Sequence, residues 1–117
     1  MKIFWVVKRE LKMEIYLAEI PKINGREQFG FGPVLLVSQP IREISLIIPF
    51  TSNVLALPFP YTLKIEPSLK NGLSFPSILL IFQLRTIDSK RLRKKLGELE
   101  KFYVVQIKEQ LRKILKI

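Results

Sequence analysis

Three of the chain's five glycines fall within residues 25–32, and Pro33 and the apolar run Val34-Leu35-Leu36-Val37 follow immediately. No other stretch restricts the fold as strongly. Glycines so placed let the backbone turn tightly and enter positive φ. The apolar run has the length of a buried strand. A proline at its head is tolerated, because a strand can begin there without losing a ladder hydrogen bond. Gly25–Gln39 therefore reads as a polar, turn-rich loop feeding a rigid strand. Loops held on a rigid scaffold are where functional groups concentrate.

The rest of the chain supplies that scaffold. Glu14–Ile20 and Ile44–Phe50 have strand composition, and Pro49 suggests an edge or a bulge near the end of the second. Thr51–Tyr61 carries two prolines, Pro58 and Pro60, and reads as a stiff, non-helical loop. Thr62–Glu66 is a short strand, Asn71-Gly72 marks a turn, and Ser77–Leu84 is the longest apolar strand. Asp88 can cap a helix running to Lys95, with Leu92 and Leu96 inward and Gly97 ending it. In Lys101–Ile117, Val104, Ile107, Leu111 and Ile114 share one helical face. Strands followed by helices predict an α+β, mainly β domain on a small antiparallel barrel or sheet. Met1–Lys12, an apolar run followed by a charged patch, reads as an added strand or a poorly tied terminus.

The formal charge is +10 and the pI about 10.1. Residues 85–117 hold 11 Lys/Arg against 4 Asp/Glu, a net of +7, which leaves +3 for the rest. Such an excess favours nucleic acid, an acidic protein or an anionic membrane as partner. The chain has no cysteine and no histidine. That removes disulfides, thiolate nucleophiles, cysteine-bound zinc and the usual neutral-pH acid/base. Ile44–Leu63 is uncharged over twenty residues, but its three prolines and Thr51-Ser52-Asn53 argue against a membrane span. A cytoplasmic protein without cofactor, metal or membrane association is the expectation.

With these segments in view, the chain resembles the MazF/PemK/Kid toxins of type II toxin–antitoxin systems. Glu14-Ile15-Tyr16-Leu17, Gly25-Arg26-Glu27-Gln28, Gly-x-Gly-Pro33-Val34-Leu35-Leu36-Val37-Ser38, Pro49-Phe50-Thr51-Ser52, Gly72-Leu73 and Gln83-Leu84-Arg85-Thr86-Ile87-Asp88 occur in the family's order. The resemblance covers roughly residues 13–117, which leaves residues 1–12 as an extension and makes Met13 a second candidate start. It implies an SH3-like antiparallel β-barrel with short helices and a C-terminal amphipathic helix, working as a homodimer. It implies metal-independent, sequence-specific cutting of single-stranded mRNA, in which a ribose 2′-OH attacks the adjacent phosphate. It also implies an antitoxin partner with an acidic tail.

By the same resemblance Thr51 is a catalytic residue, while the family's catalytic arginine position, immediately before the strand's proline, is Gly32. Arg26, in the glycine-rich loop, is the substitute cation. Ser52, Glu27, Gln28, Gln83 and Arg85 are the RNA-binding candidates, although each also has a plain structural role open to it. Phe82 stands where some members carry a carboxylate. Gly32 and Phe82 together support a second reading: a degenerate module that binds RNA or an acidic antitoxin without cutting. The gyrase-directed CcdB toxins are a third, for which the C-terminal Arg-Lys-Ile-Leu-Lys-Ile offers no specific match.

Overall fold

The computed structural model describes residues 12–23, 25 and 27–117. Its strands are β1 (Glu14–Ile20), β2 (Gly30–Leu36), β3 (Ile44–Thr51), β4 (Thr62–Ile65), β5 (Ser77–Leu80), β6 (Arg85–Asp88) and β7 (Leu92–Glu98). One α-helix, α1 (Lys101–Leu115), closes the described chain. The strands make one antiparallel sheet in the order β4-β5-β3-β2-β1-β7, with β6 also paired to β3. Among the described residues the ladder does not close into a barrel. The 3-10 turn Ser89–Arg91, and not a ladder, joins β6 to β7.

β3 is the hub of the sheet. One edge pairs with β2, and the other pairs first with β6 (Ile44–Ile47) and then with β5 (Phe50–Thr51). Pro49, where the sequence suggests an edge or a bulge, is thus buried in a central strand at the break between the β6 and β5 ladders. The reason lies in the alternation of an antiparallel ladder. The Leu46 carbonyl faces β2, where the Val37 N–H donates to it. Pro49, three residues on, therefore turns its missing N–H to the opposite edge, into the gap between β6 and β5.

The period of two sends alternate side chains to opposite faces. Ile15, Leu35, Ile48 and Phe50 enter the main core with Ile65, Leu79, Ile81, Leu99, Val104 and Ile107. Ala18, Ile20, Val34, Leu36, Ile47 and Ile87 fill a second core on the other face. Each large aliphatic side chain buried there contributes about 1.5–3 kcal/mol relative to exposure. Helix α1 covers the main core with the expected face: Val104 and Ile107 are buried, and Leu111 and Ile114 pack beside them.

Three other sequence expectations are corrected. Asp88 does cap, accepting from the Lys90 N–H at 2.9 Å, but only for the 3-10 turn. Leu92–Glu98 is a strand on the edge of β1, not a helix. Cross-strand ion pairs favour that strand, with Arg93 3.1 Å from Glu19 and Lys95 2.6 Å from Glu14. The hydrogen bond to Glu14 also holds the Lys95 ammonium above its usual range. Second, Ser77–Leu84 stops as a strand at Leu80 and becomes a 3-10 turn, Ile81–Gln83. Third, the proline-rich loop contains a 3-10 turn, Val54–Ala56, capped by Asn53. The extension, residues 1–12, lies outside the described residues except for Lys12.

A polar hub ties the turn after β4 to the start of α1. Asn71 is fully buried. Its Oδ1 accepts from the Ser68 and Leu73 N–H groups, and its Nδ2 donates to the Glu66 carbonyl and Glu100 Oε1. The Ser68 hydroxyl donates to Glu100 Oε2 at 2.7 Å. Burial alone would raise the Glu100 pKa, but hydrogen bonds from Ser68, its own backbone N–H and Asn71, with the Lys70 charge, bring it below 4.5. A carboxylate with a depressed folded pKa stabilises above its unfolded value, and that stability is lost as pH falls through the folded one. Urea unfolding between about pH 6 and about pH 3 should show this loss, and Glu100→Gln should flatten it. Equal pH slopes for the two proteins would remove Glu100 from the acid response.

Candidate functional site

The loop before β2 is held against the segment between β5 and β6 by two contacts. The Gln28 N–H donates to Gln83 Oε1 at 2.7 Å, and Arg85 Nη1 approaches the Gln28 carbonyl at 3.5 Å. Gln83 ends the 3-10 turn and Arg85 opens β6, so both are set by backbone that the buried Ile81 anchors. Between loop and turn lies an open groove of about 470 Å³, lined by Ile23, Glu27, Phe82, Gln83, Leu84 and Arg85. That size is within the roughly 300–1,000 Å³ of small-ligand sites.

Four sequence candidates thus meet in one place: Glu27, Gln83 and Arg85 line the groove and Gln28 braces it. Arg26 lies outside the described residues. Thr51 and Ser52 stand apart from the groove lining, at the end of β3. The half-buried Thr51 pairs across to Ile78, and its hydroxyl accepts from the Asn53 N–H at 3.2 Å. Ser52 is exposed. The β2–β3 ladder ends at Val34–Pro49; continued two residues further, its register would bring Gly32 opposite Thr51. Gly32 has no positive φ, and a Cβ added there meets nothing within 4 Å. Its lack of a side chain is demanded neither by backbone nor by packing.

The groove itself offers a cation at Arg85, a side-chain amide at Gln83 and a partly exposed ring at Phe82. Lys22 sits 5.1 Å over the Phe29 ring, and Phe29 and Phe31 are both exposed. Among the described residues no three His, Cys, Asp or Glu side chains come together as a metal set. No described helix is long and apolar enough to cross a membrane. Sequence reasoning missed Ile23 and Leu84 as groove walls, and treated Phe82 only as a missing acid. Read as part of a continuous strand, Phe82 gave no sign of facing a groove.

Comparison with known proteins bears on the family and the fold. The family model described as PemK-like, MazF-like toxin of type II toxin-antitoxin system matches residues 11–115. "Endoribonuclease MazF" of Staphylococcus epidermidis is 28% identical over 102 residues, covering 84% of each chain. The crystal structure of MazF (Form-I) from Deinococcus radiodurans superposes with a TM-score of 0.74 at 20% identity, over 89% of this chain and 94% of that one. The MazE-MazF (Form-II) structure from the same organism gives 0.65 at 20% identity, over 89% and 93%. At that identity the two structures establish the fold alone.

Proposed function

The chain belongs to the PemK-like, MazF-like toxins of type II toxin–antitoxin systems, and on that footing we propose that it is an endoribonuclease that cuts single-stranded mRNA at defined sequences without a metal. The observation that carries this reading is the clasp of Gln28 by Gln83 and Arg85, which builds a groove from the loop and strand segments whose residues suit RNA. A net charge of +10 supplies the electrostatic attraction that dominates non-specific RNA affinity.

In the proposed reaction the 2′ oxygen forms a bond to the adjacent phosphorus and the P–O5′ bond breaks. The products are a 2′,3′-cyclic phosphate and a 5′-OH end, with the 2′ proton passing ultimately to the leaving oxygen. Negative charge grows on the phosphoryl oxygens, and stabilising it is usually the largest single catalytic term. Arg26 is the proposed cation and Thr51 the hydroxyl donor. Ser52, Glu27, Gln28, Gln83 and Arg85 position the strand. We assign this work to residues 13–117, acting in the cytoplasm as a homodimer, with an SH3-like barrel architecture. The name of the MazE-MazF neighbour supports an antitoxin as the protein partner, and the basic surface suits an acidic tail.

A second reading has its own observation. Among the described residues no atom lies within 4 Å of a Cβ built at Gly32, and Phe82 stands where the resemblance puts a carboxylate in some members. A module so built would bind RNA or an acidic antitoxin and not cut. Incubation of the purified protein with a long unstructured RNA and EDTA separates the two. Discrete fragments are expected. Intact RNA alongside measurable binding would replace the nuclease by the binding module.

A further inference from the structure

We propose that the groove between Ile23 and Phe82 is a nucleotide subsite, in which one unpaired purine of the RNA lies flat on the Phe82 ring with its phosphate at Arg85. This rests on the RNA reading above and adds to it the residue that carries the base.

Phe82 is 43% exposed although it follows four buried strand residues and the buried Ile81. The 3-10 turn causes this. It is closed by the Leu84 N–H donating to the Ile81 carbonyl at 3.2 Å, and it turns Phe82 out of the core and into the groove wall. Ile23 and Leu84 give the groove its remaining apolar surface. An aromatic face of this kind suits the π-face of a base, and stacking is the usual way proteins hold unpaired RNA bases. A purine offers the ring more area than a pyrimidine.

The polar groups give the nucleotide a direction. Gln83 must present its oxygen to the Gln28 N–H, so its amide NH2 is the end left to donate to a base. Arg85 makes one long contact, 3.5 Å, to the Gln28 carbonyl, and its guanidinium retains donors suited to a phosphate. Glu27 lines the same groove, and among the described residues its carboxylate makes no hydrogen bond or ion pair. Its negative charge repels a phosphate and accepts from an exocyclic amino group. The phosphate therefore belongs at the Arg85 end and the base between Glu27, Gln83 and Phe82.

The test uses the full chain and short single-stranded RNAs carrying 2-aminopurine at successive positions, read by its fluorescence and by anisotropy. One position should be strongly quenched on binding. Phe82→Leu should abolish that quench and weaken binding by about 5–150-fold, the range for losing one stacked base. Phe82→Tyr should keep both. A quench that survives Phe82→Leu, or RNA binding with no quenched position, overturns the subsite and leaves the RNA reading intact. No binding of any RNA by the unsubstituted protein defeats the RNA reading, and the subsite with it.

Discussion

Gly72→Ala should lower the unfolding free energy by about 2–5 kcal/mol, from roughly 1–2 for a left-handed alanine and roughly 1–3 for forced overlap. Gly72 has φ +73° and faces the backbone of Leu96 so closely that a Cβ would overlap its carbonyl. The approach is mutual, because a Cβ on Gly97 would overlap the Lys70 carbonyl. The Glu98 N–H donates to that same carbonyl at 2.9 Å, so the turn and β7 cannot simply move apart. For a domain of this size the loss amounts to a Tm drop on the order of 20 °C. Gly32→Ala is the internal control: its Cβ enters open space, and its Tm should not fall. Thermal unfolding of the two variants side by side would refute the close packing if both melted with the unsubstituted chain.

Gly32→Arg should raise RNA cleavage by about a hundredfold, the effect of supplying one well-placed donor to a developing oxyanion. The argument is steric and electrostatic together. A Cβ at this position meets no described atom within 4 Å. It lies across from Thr51 when the β2–β3 register is extended. A guanidinium there adds a cation to the proposed phosphate site without changing the groove at Gln83 and Arg85. Single-turnover cleavage of one labelled RNA by both proteins measures the ratio. An unchanged rate with tighter binding would mean that the space at Gly32 does not border the reacting phosphate.

Much of the sheet was legible because its cues are local. Glu14–Ile20 has the predicted bounds, and the helical face of Val104, Ile107, Leu111 and Ile114 packs as its spacing requires. Leu92–Glu98 was not legible, since Leu92 and Leu96 four apart after a capping Asp88 satisfy every local rule for a helix. What overrides them is the unpaired edge of β1, some 75 residues earlier in the chain, where Glu14 and Glu19 meet Lys95 and Arg93. The same limit governs the site. Apolar continuity from Ser77 to Leu84 hides the turn that exposes Phe82. Nothing local to Gln83 shows that it holds the backbone of Gln28, 55 residues away. Residue types could nominate Glu27, Gln28, Gln83 and Arg85, but only the fold shows that they share a groove apart from Thr51 and Ser52.

The central claim is that RNA is cut by its own 2′-OH, held at this groove. It is tested most directly by an RNA with a single cut site, prepared with ribose and with 2′-deoxyribose at the nucleotide before the cut. The ribose form should yield a 5′-OH fragment in EDTA, and the deoxy form should bind equally and stay intact. Cleavage of the deoxy form at the same bond would contradict it, because the nucleophile would then be water.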